Sequence, residues 1–186
     1  MSIPEFFKYG TLISIPLFSL IALLLVRKSP DYSFQTHTVS KSIYVLRHRT
    51  QRIIFRLNFI LKGLLDLGFA LYVLNYFRLP LESITFFSLL VSAILFGSLA
   101  YFTEGKHSLS HKIATYTGGV FLVIGQISLA GVIGDRNFLL FSIVFVSVPL
   151  VLAFLFLFTK RTNVVVQTVC MAIWYIWYIA LVARYL

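Results

Sequence analysis

Apolar residues fill six long runs of the chain, about 9–26, 57–77, 83–102, 113–133, 138–159 and 164–185, and polar residues gather between them. A helix needs about 20 apolar residues to cross the hydrocarbon core of a bilayer. The pattern therefore predicts an all-α integral membrane bundle of six transmembrane helices, with short connections that make sequential helices antiparallel. Pro16 and Pro149 fall inside the first and fifth runs and predict bends there. The connection 27–56 is the one sizeable polar segment. Ser29-Pro30-Asp31 is a turn signal within it. The following KSIYVLRHRTQRIIFR mixes apolar and basic residues, which suits either an interfacial helix or a set of ordinary charged anchors at the entry to the second span.

Composition strengthens this picture. Hydrophobic residues make up 59% of the chain and charged residues 12%, and the mean hydropathy is +0.92. A soluble domain carries about twice that share of charge, so lipid is the solvent that fits. Arg27-Lys28 follows the first run where a leader peptidase would need small residues, so that run reads as a retained span. Cys170, the single cysteine, allows neither an intrachain disulfide nor a cysteine metal cluster and reads as a packing residue.

The net charge of +10 is no argument for nucleic acid, because the cations sit in the gaps between apolar runs rather than on one face. Eleven of them (Arg27, Lys28, Lys41, Arg47, Arg49, Arg52, Arg56, Lys106, Lys112, Lys160, Arg161) lie in the odd-numbered connections, and four (Lys8, Arg78, Arg136, Arg184) lie on the opposite side. The positive-inside rule then puts the odd connections in the cytoplasm and both termini outside. Lys41, Arg47, Arg49, Arg52 and Arg56 are candidate contacts for anionic lipid headgroups, each contributing about 1 kcal/mol near a charged surface.

Small residues at four-residue spacing allow close helix approach in lipid. Ala93-x-x-x-Gly97 and Ala130-x-x-x-Gly134 have that form, and Gly63 and Gly68 flank Asp66.

Candidate chemistry falls in two places. In the second run, Asn58, Lys62 and Asp66 recur at i, i+4 and share one helical face. Asp66 lies near mid-span, where a charge costs roughly 2.5–3.5 kcal/mol on insertion scales. Lys62 can pair with it on the same helix, and Gln126, at comparable depth in the fourth run, is its expected interhelical partner. This seam reads as a buried pair that fixes helix rotation, or as a proton or substrate relay. The second place is Glu104-Gly-Lys-His107-Ser-Leu-Ser-His111. On a helix, Glu104, His107 and His111 would share one side and could hold zinc or another divalent metal. Gly105 and the serines favour a turn instead, with Ser108 or Ser110 capping the next helix. The expectation is that no cofactor is bound, with the metal as the lesser reading. Phosphate-binding glycine loops, GxSxG, CxxC and dinucleotide fingerprints are all lacking from the sequence.

Tyr32–Ser40, YSFQTHTVS, followed by FRLNFILKGLLDLGFALYVL, resembles the prokaryotic six-span membrane proteins of unknown function related to the DRAM/Sfk superfamily. In those proteins a TVS or TIS turn precedes a helix that opens with asparagine and then a Gly-Leu pair. Thr38-Val39-Ser40, Asn58 and Gly63-Leu64 are the matching positions. FGSLAYFTEGKHSLSHKIA is similar to their third-to-fourth connection, with Gly97, Glu104 and His111 matching. The resemblance implies six helices in a prokaryotic cell membrane. Eukaryotic members are associated with trafficking, autophagy and lipid organisation, and no catalytic mechanism is implied. The first connection of those relatives is thought to face away from the cytoplasm, whereas seven basic residues populate it here (Arg27, Lys28, Lys41, Arg47, Arg49, Arg52, Arg56); the local charge count is followed for this chain.

The expected function is thus non-enzymatic: organising or sensing lipid or a membrane partner through the basic connection and the polar pocket around Asp66. The alternatives are a small transporter or proton-coupled permease using Asp66, Lys62 and Gln126, in which case a homodimer would widen the path, and a metal-dependent membrane enzyme using Glu104, His107 and His111.

Overall fold

A computed structural model describes residues 3–27, 29, 31–33, 37–102, 108–159 and 164–186. Among them there is no strand. A 3-10 turn over Glu5–Tyr9 leads into α1 (Gly10–Val26), followed by the short α2 (Ser42–Val45), then α3 (Arg49–Tyr76), α4 (Ile84–Ser98), α5 (Ser108–Ile133), α6 (Arg136–Thr159) and α7 (Val164–Tyr185). α1 and α6 run on through Pro16 and Pro149. Five helical stretches are long and apolar enough to cross a membrane: Glu5–Val26, Arg49–Tyr76, Leu109–Ile133, Arg136–Ala153 and Val164–Tyr185. The molecule has the architecture of a multi-pass membrane protein.

Two helices depart from the expected spans. α3 begins eight residues before the predicted start at 57, so Arg49, Arg52 and Arg56 belong to the same helix as the second run, whereas Lys41 and Arg47 precede it. Leu46 (ψ 112°) and His48 (ψ 137°) are extended and separate α2 from α3, and Gln51 Oε1 accepts from the His48 N–H at 3.4 Å. From Arg49 the helix continues without a break. At 28 residues α3 is about 42 Å long, well beyond the ~30 Å core. α4 is the converse. Its 15 residues give about 22 Å, short of a full crossing. Ser83 caps its start, Oγ accepting from the Phe86 N–H at 3.3 Å. At its end Ser98 Oγ donates to the Leu95 carbonyl at 2.7 Å and competes for the acceptor that the next helical N–H would use. The chain continues to Phe102 in tight turns, with Leu99, Ala100 and Tyr101 bonded back to Phe96, Gly97 and Ser98.

The six long elements close a ring, in which α1 packs on α3, α3 on α4, α4 on α5, α5 on α6, α6 on α7 and α7 on α1. Large apolar side chains such as Leu57, Ile60, Leu64, Ile94, Val144 and Val151 face outward, as lipid-facing positions should. Close approaches are made by glycine. A Cβ at Gly63 would lie 2.8 Å from Gly97 Cα and 3.1 Å from the Ala93 carbonyl oxygen, so the Ala93/Gly97 pair receives α3 at backbone contact. Gly134 serves differently. It has φ +78° and its N–H bonds the Ala130 carbonyl at 3.3 Å, ending α5, and nothing lies within 4 Å of a Cβ placed there. The Ala130/Gly134 spacing is a helix stop, not a packing motif.

The buried core is divided in two along the bundle axis. One cluster, towards the termini, includes Phe69, Val73, Phe86, Leu129, Phe138, Trp177 and Leu181. The other, towards the basic connection, includes Phe18, Ile43, Leu46, Phe55, Phe59, Leu99 and Ala114. Between them lies a cavity.

Candidate functional site

The cavity has a volume of about 200 Å³ and is lined by all six long helices. Its walls are mainly apolar, with Ile15 and Phe18 from α1, Phe59 and Phe69 from α3, Phe96 from α4, and Met171 and Trp174 from α7. Lys62 and Asp66 face into it as a salt bridge, their side chains 14% and 13% exposed. Asp66 is held from two directions. Oδ2 takes the ammonium of Lys62, one helical turn away, and Oδ1 accepts from Ser14 Oγ of α1 at 2.6 Å. Ser14 Oγ is also 3.2 Å from the Thr11 carbonyl, but the shorter, charge-assisted bond to the carboxylate is the stronger. The Lys62 ammonium sits 5.0 Å from the centroid of the Phe96 ring, a cation–π contact that compensates part of its lost hydration.

Asn58, the third member of the predicted stripe, lies one turn before Lys62 in α3. It is 3% exposed and its Nδ2 donates to the Phe18 carbonyl of α1 at 2.9 Å. It pins α1 to α3 and does not line the cavity. Gln126 is fully buried, and among the described residues neither atom of its amide has a hydrogen-bond partner. It does not receive Asp66. That role belongs to Ser14, whose position in an apolar run beside Pro16 carries no signal of a charged partner.

The end of the cavity nearest the basic connection is framed by Val39, Ser40, Val166 and Gln167. Here the connection crosses the start of α7. The Val39 N–H donates to Gln167 Oε1 at 2.8 Å, and the Val164 N–H to the His37 carbonyl at 2.9 Å. Thr38 Oγ1 accepts from the Lys41 N–H at 3.2 Å, closing the turn. His37 is fixed in turn by Ser33, whose N–H bonds its Nδ1 at 3.0 Å, and by stacking on Tyr32.

The predicted headgroup contacts lie at the same end. Lys41, Arg47, Arg49, Arg52 and Arg56 are all exposed, and Arg47 pairs with Asp31 at 3.1 Å. Of the candidate metal group, Glu104 and His107 fall outside the described residues. His111 is buried, and its Nδ1 makes a 2.8 Å hydrogen bond with the Phe102 carbonyl, tying the start of α5 to the end of α4. Among the described residues no three His, Cys, Asp or Glu side chains are grouped to hold a metal.

A ring of helices thus surrounds a mainly apolar cavity with one ion pair in its wall. Comparisons with protein-family models, with curated proteins and with solved structures find no match for this chain.

Proposed function

We propose that the protein is a six-span, non-enzymatic membrane protein that senses or organises lipid by holding an amphiphile in its central cavity. α4 completes the sixth span with the turns that follow it, and the exposed cations from Lys41 to Arg56 rest against anionic headgroups. The observation that carries this reading is the cavity itself: apolar walls on every side and a charged pair exposed to the interior. A hydrophobic chamber with few convergent polar groups is how small-ligand sites are built. The permease reading has less support. Gln126, one of the three groups meant to line its path, is not among the residues that line the cavity, and among the described residues Lys62 and Asp66 are the only charged side chains that do.

The test is binding by purified protein in nanodiscs, followed with radiolabelled oleoyl compounds. Saturable binding to the wild-type chain, lost when Ala153→Phe or Cys170→Phe fills the chamber, is the expected result. Equal binding by wild type and both filled variants would show that the cavity holds nothing. Counterflow of solutes in proteoliposomes would favour the permease.

A further inference from the structure

The cavity wall carries more hydrogen-bond donors than the protein uses. Lys62 spends one of its three ammonium protons on Asp66 and lies over Phe96, and no other acceptor is in reach among the described residues. Among the described residues the Trp174 indole N–H and the Thr115 hydroxyl are buried without partners, and both residues line this cavity. Orphaned buried polar groups are rare because each forfeits its hydration, so two around one chamber, beside the spare protons of Lys62, mark a place where a ligand belongs.

The kind of ligand follows from charge. Lys62 and Asp66 sum to zero, and the chamber lies between two apolar clusters. A carboxylate brought there would meet Asp66 with no cation of its own, in a medium where repulsion is weakly screened. An amine would compete with the two donors that Asp66 already accepts from Ser14 and Lys62. A neutral acceptor meets neither obstacle. The indole N–H only donates, which points the same way.

We infer that the cavity takes a neutral, membrane-soluble molecule whose polar end is a carbonyl oxygen, hydrogen-bonded by the free ammonium protons of Lys62, with its apolar body against Phe18, Phe59 and Met171. The inference rests on the ligand-holding reading above and adds the headgroup chemistry. A glycerolipid ester and a quinone share that chemistry, and a cavity on the order of 150 Å³ already admits a benzene ring.

The experiment compares binding of glycerol monooleate, a short-chain benzoquinone and oleate to the full chain in nanodiscs. It uses wild type, Lys62→Gln/Asp66→Asn and Lys62→Met/Asp66→Leu. The first variant keeps a neutral donor and the second removes it. Expected are saturable binding of the monooleate or the quinone, retained within about threefold by the Gln/Asn variant and weakened at least tenfold by the Met/Leu variant; which probe binds identifies the source of the carbonyl. Binding of oleate alone overturns the neutral-ligand inference and leaves the amphiphile reading standing. Carbonyl binding that ignores both substitutions overturns the role of Lys62. Binding of none of the three removes both. Should the Met/Leu variant fail to fold, the wild-type preference between ester and oleate, together with the Gln/Asn variant, still decides.

Discussion

Asp66 is tolerated inside an apolar helix because its charge is met twice, by Lys62 on its own helix and by Ser14 on the next. Taking one partner away differs from taking both. Lys62→Met leaves a carboxylate uncompensated in a low-dielectric wall, which costs roughly 3–5 kcal/mol for buried pairs, whereas replacing both partners by apolar residues is often neutral. The expected order of unfolding midpoints in SDS titration is therefore wild type close to Lys62→Met/Asp66→Leu, with Lys62→Met far below. A double variant as unstable as the single one would mean that the pair holds the bundle together. At this scale the sequence was half informative. The i, i+4 spacing of Lys62 and Asp66 announced the pair, but nothing in LISIPLF distinguishes Ser14 from any serine in an apolar run. The depth of Gln126 in its run suggests a partner for Asp66, but depth does not give azimuth around a helix.

At the scale of elements, backbone proximity decides what each glycine does, and a substitution series separates the cases. Gly63→Val drives a side chain into Gly97 and should cost about 1–3 kcal/mol, as overpacking does. Gly134→Ala meets no atom but must hold φ +78°, a strain of about 1 kcal/mol. Gly131→Ala, helical and open, should stabilise by about 0.5–1 kcal/mol through helix propensity. Thermal unfolding of the three variants checks the order, and a harmless Gly63→Val would deny the backbone contact between α3 and α4. Five of the apolar runs coincide with helices long and apolar enough to cross a membrane, because in lipid a continuous run has no other stable state. The limits of α3 and α4 were hidden for opposite reasons. Basic residues at the start of α3 look like a loop although their backbone stays helical, and the residues after Ser98 remain apolar although their backbone tightens into turns.

A second consequence at this scale concerns the far end of α7. Asp135 bonds the N–H groups of Asn137 and Phe138 at the start of α6, accepts from the Tyr185 hydroxyl at 2.6 Å, and lies 3.2 Å from Arg184. The Tyr185 hydrogen bond is the leading reason that its carboxyl is held below the ordinary 3.8, helped by the backbone donors and Arg184. A carboxyl with a lowered folded-state value stabilises the fold above its unfolded value and loses that contribution as pH falls through the lowered one. The end of α7 should thus stay tethered at pH 5 and above and loosen only below about pH 4. Hydrogen exchange at the last turn of α7 reads this directly; Asp135→Asn should show the looser pattern already at neutral pH. Exchange that is independent of pH in the wild type, after correction for the intrinsic rate, would remove the tether.

For the whole molecule, closure of the ring places the chamber inside one chain, so neither ligand holding nor its test requires a second copy. Closure could not be read from the sequence, since apolar runs specify that helices cross but not which meet. The same closure gives the molecule two unlike ends. One presents Lys41, Arg47, Arg49, Arg52 and Arg56 on the side of the cavity framed by Val39 and Ser40, and the other presents the Asp135–Arg184–Tyr185 cluster. The charge bias predicts that the first end is cytoplasmic, so the amphiphile would be met from the leaflet that carries anionic lipids. In a Cys170→Ala background, cysteine at position 52 should react with a membrane-impermeant maleimide only after the cells are opened, and cysteine at position 136 in intact cells. The reverse pattern would turn the molecule over, put the Val39 and Ser40 end towards the outer leaflet, and have the proposed amphiphile met from the opposite side of the membrane.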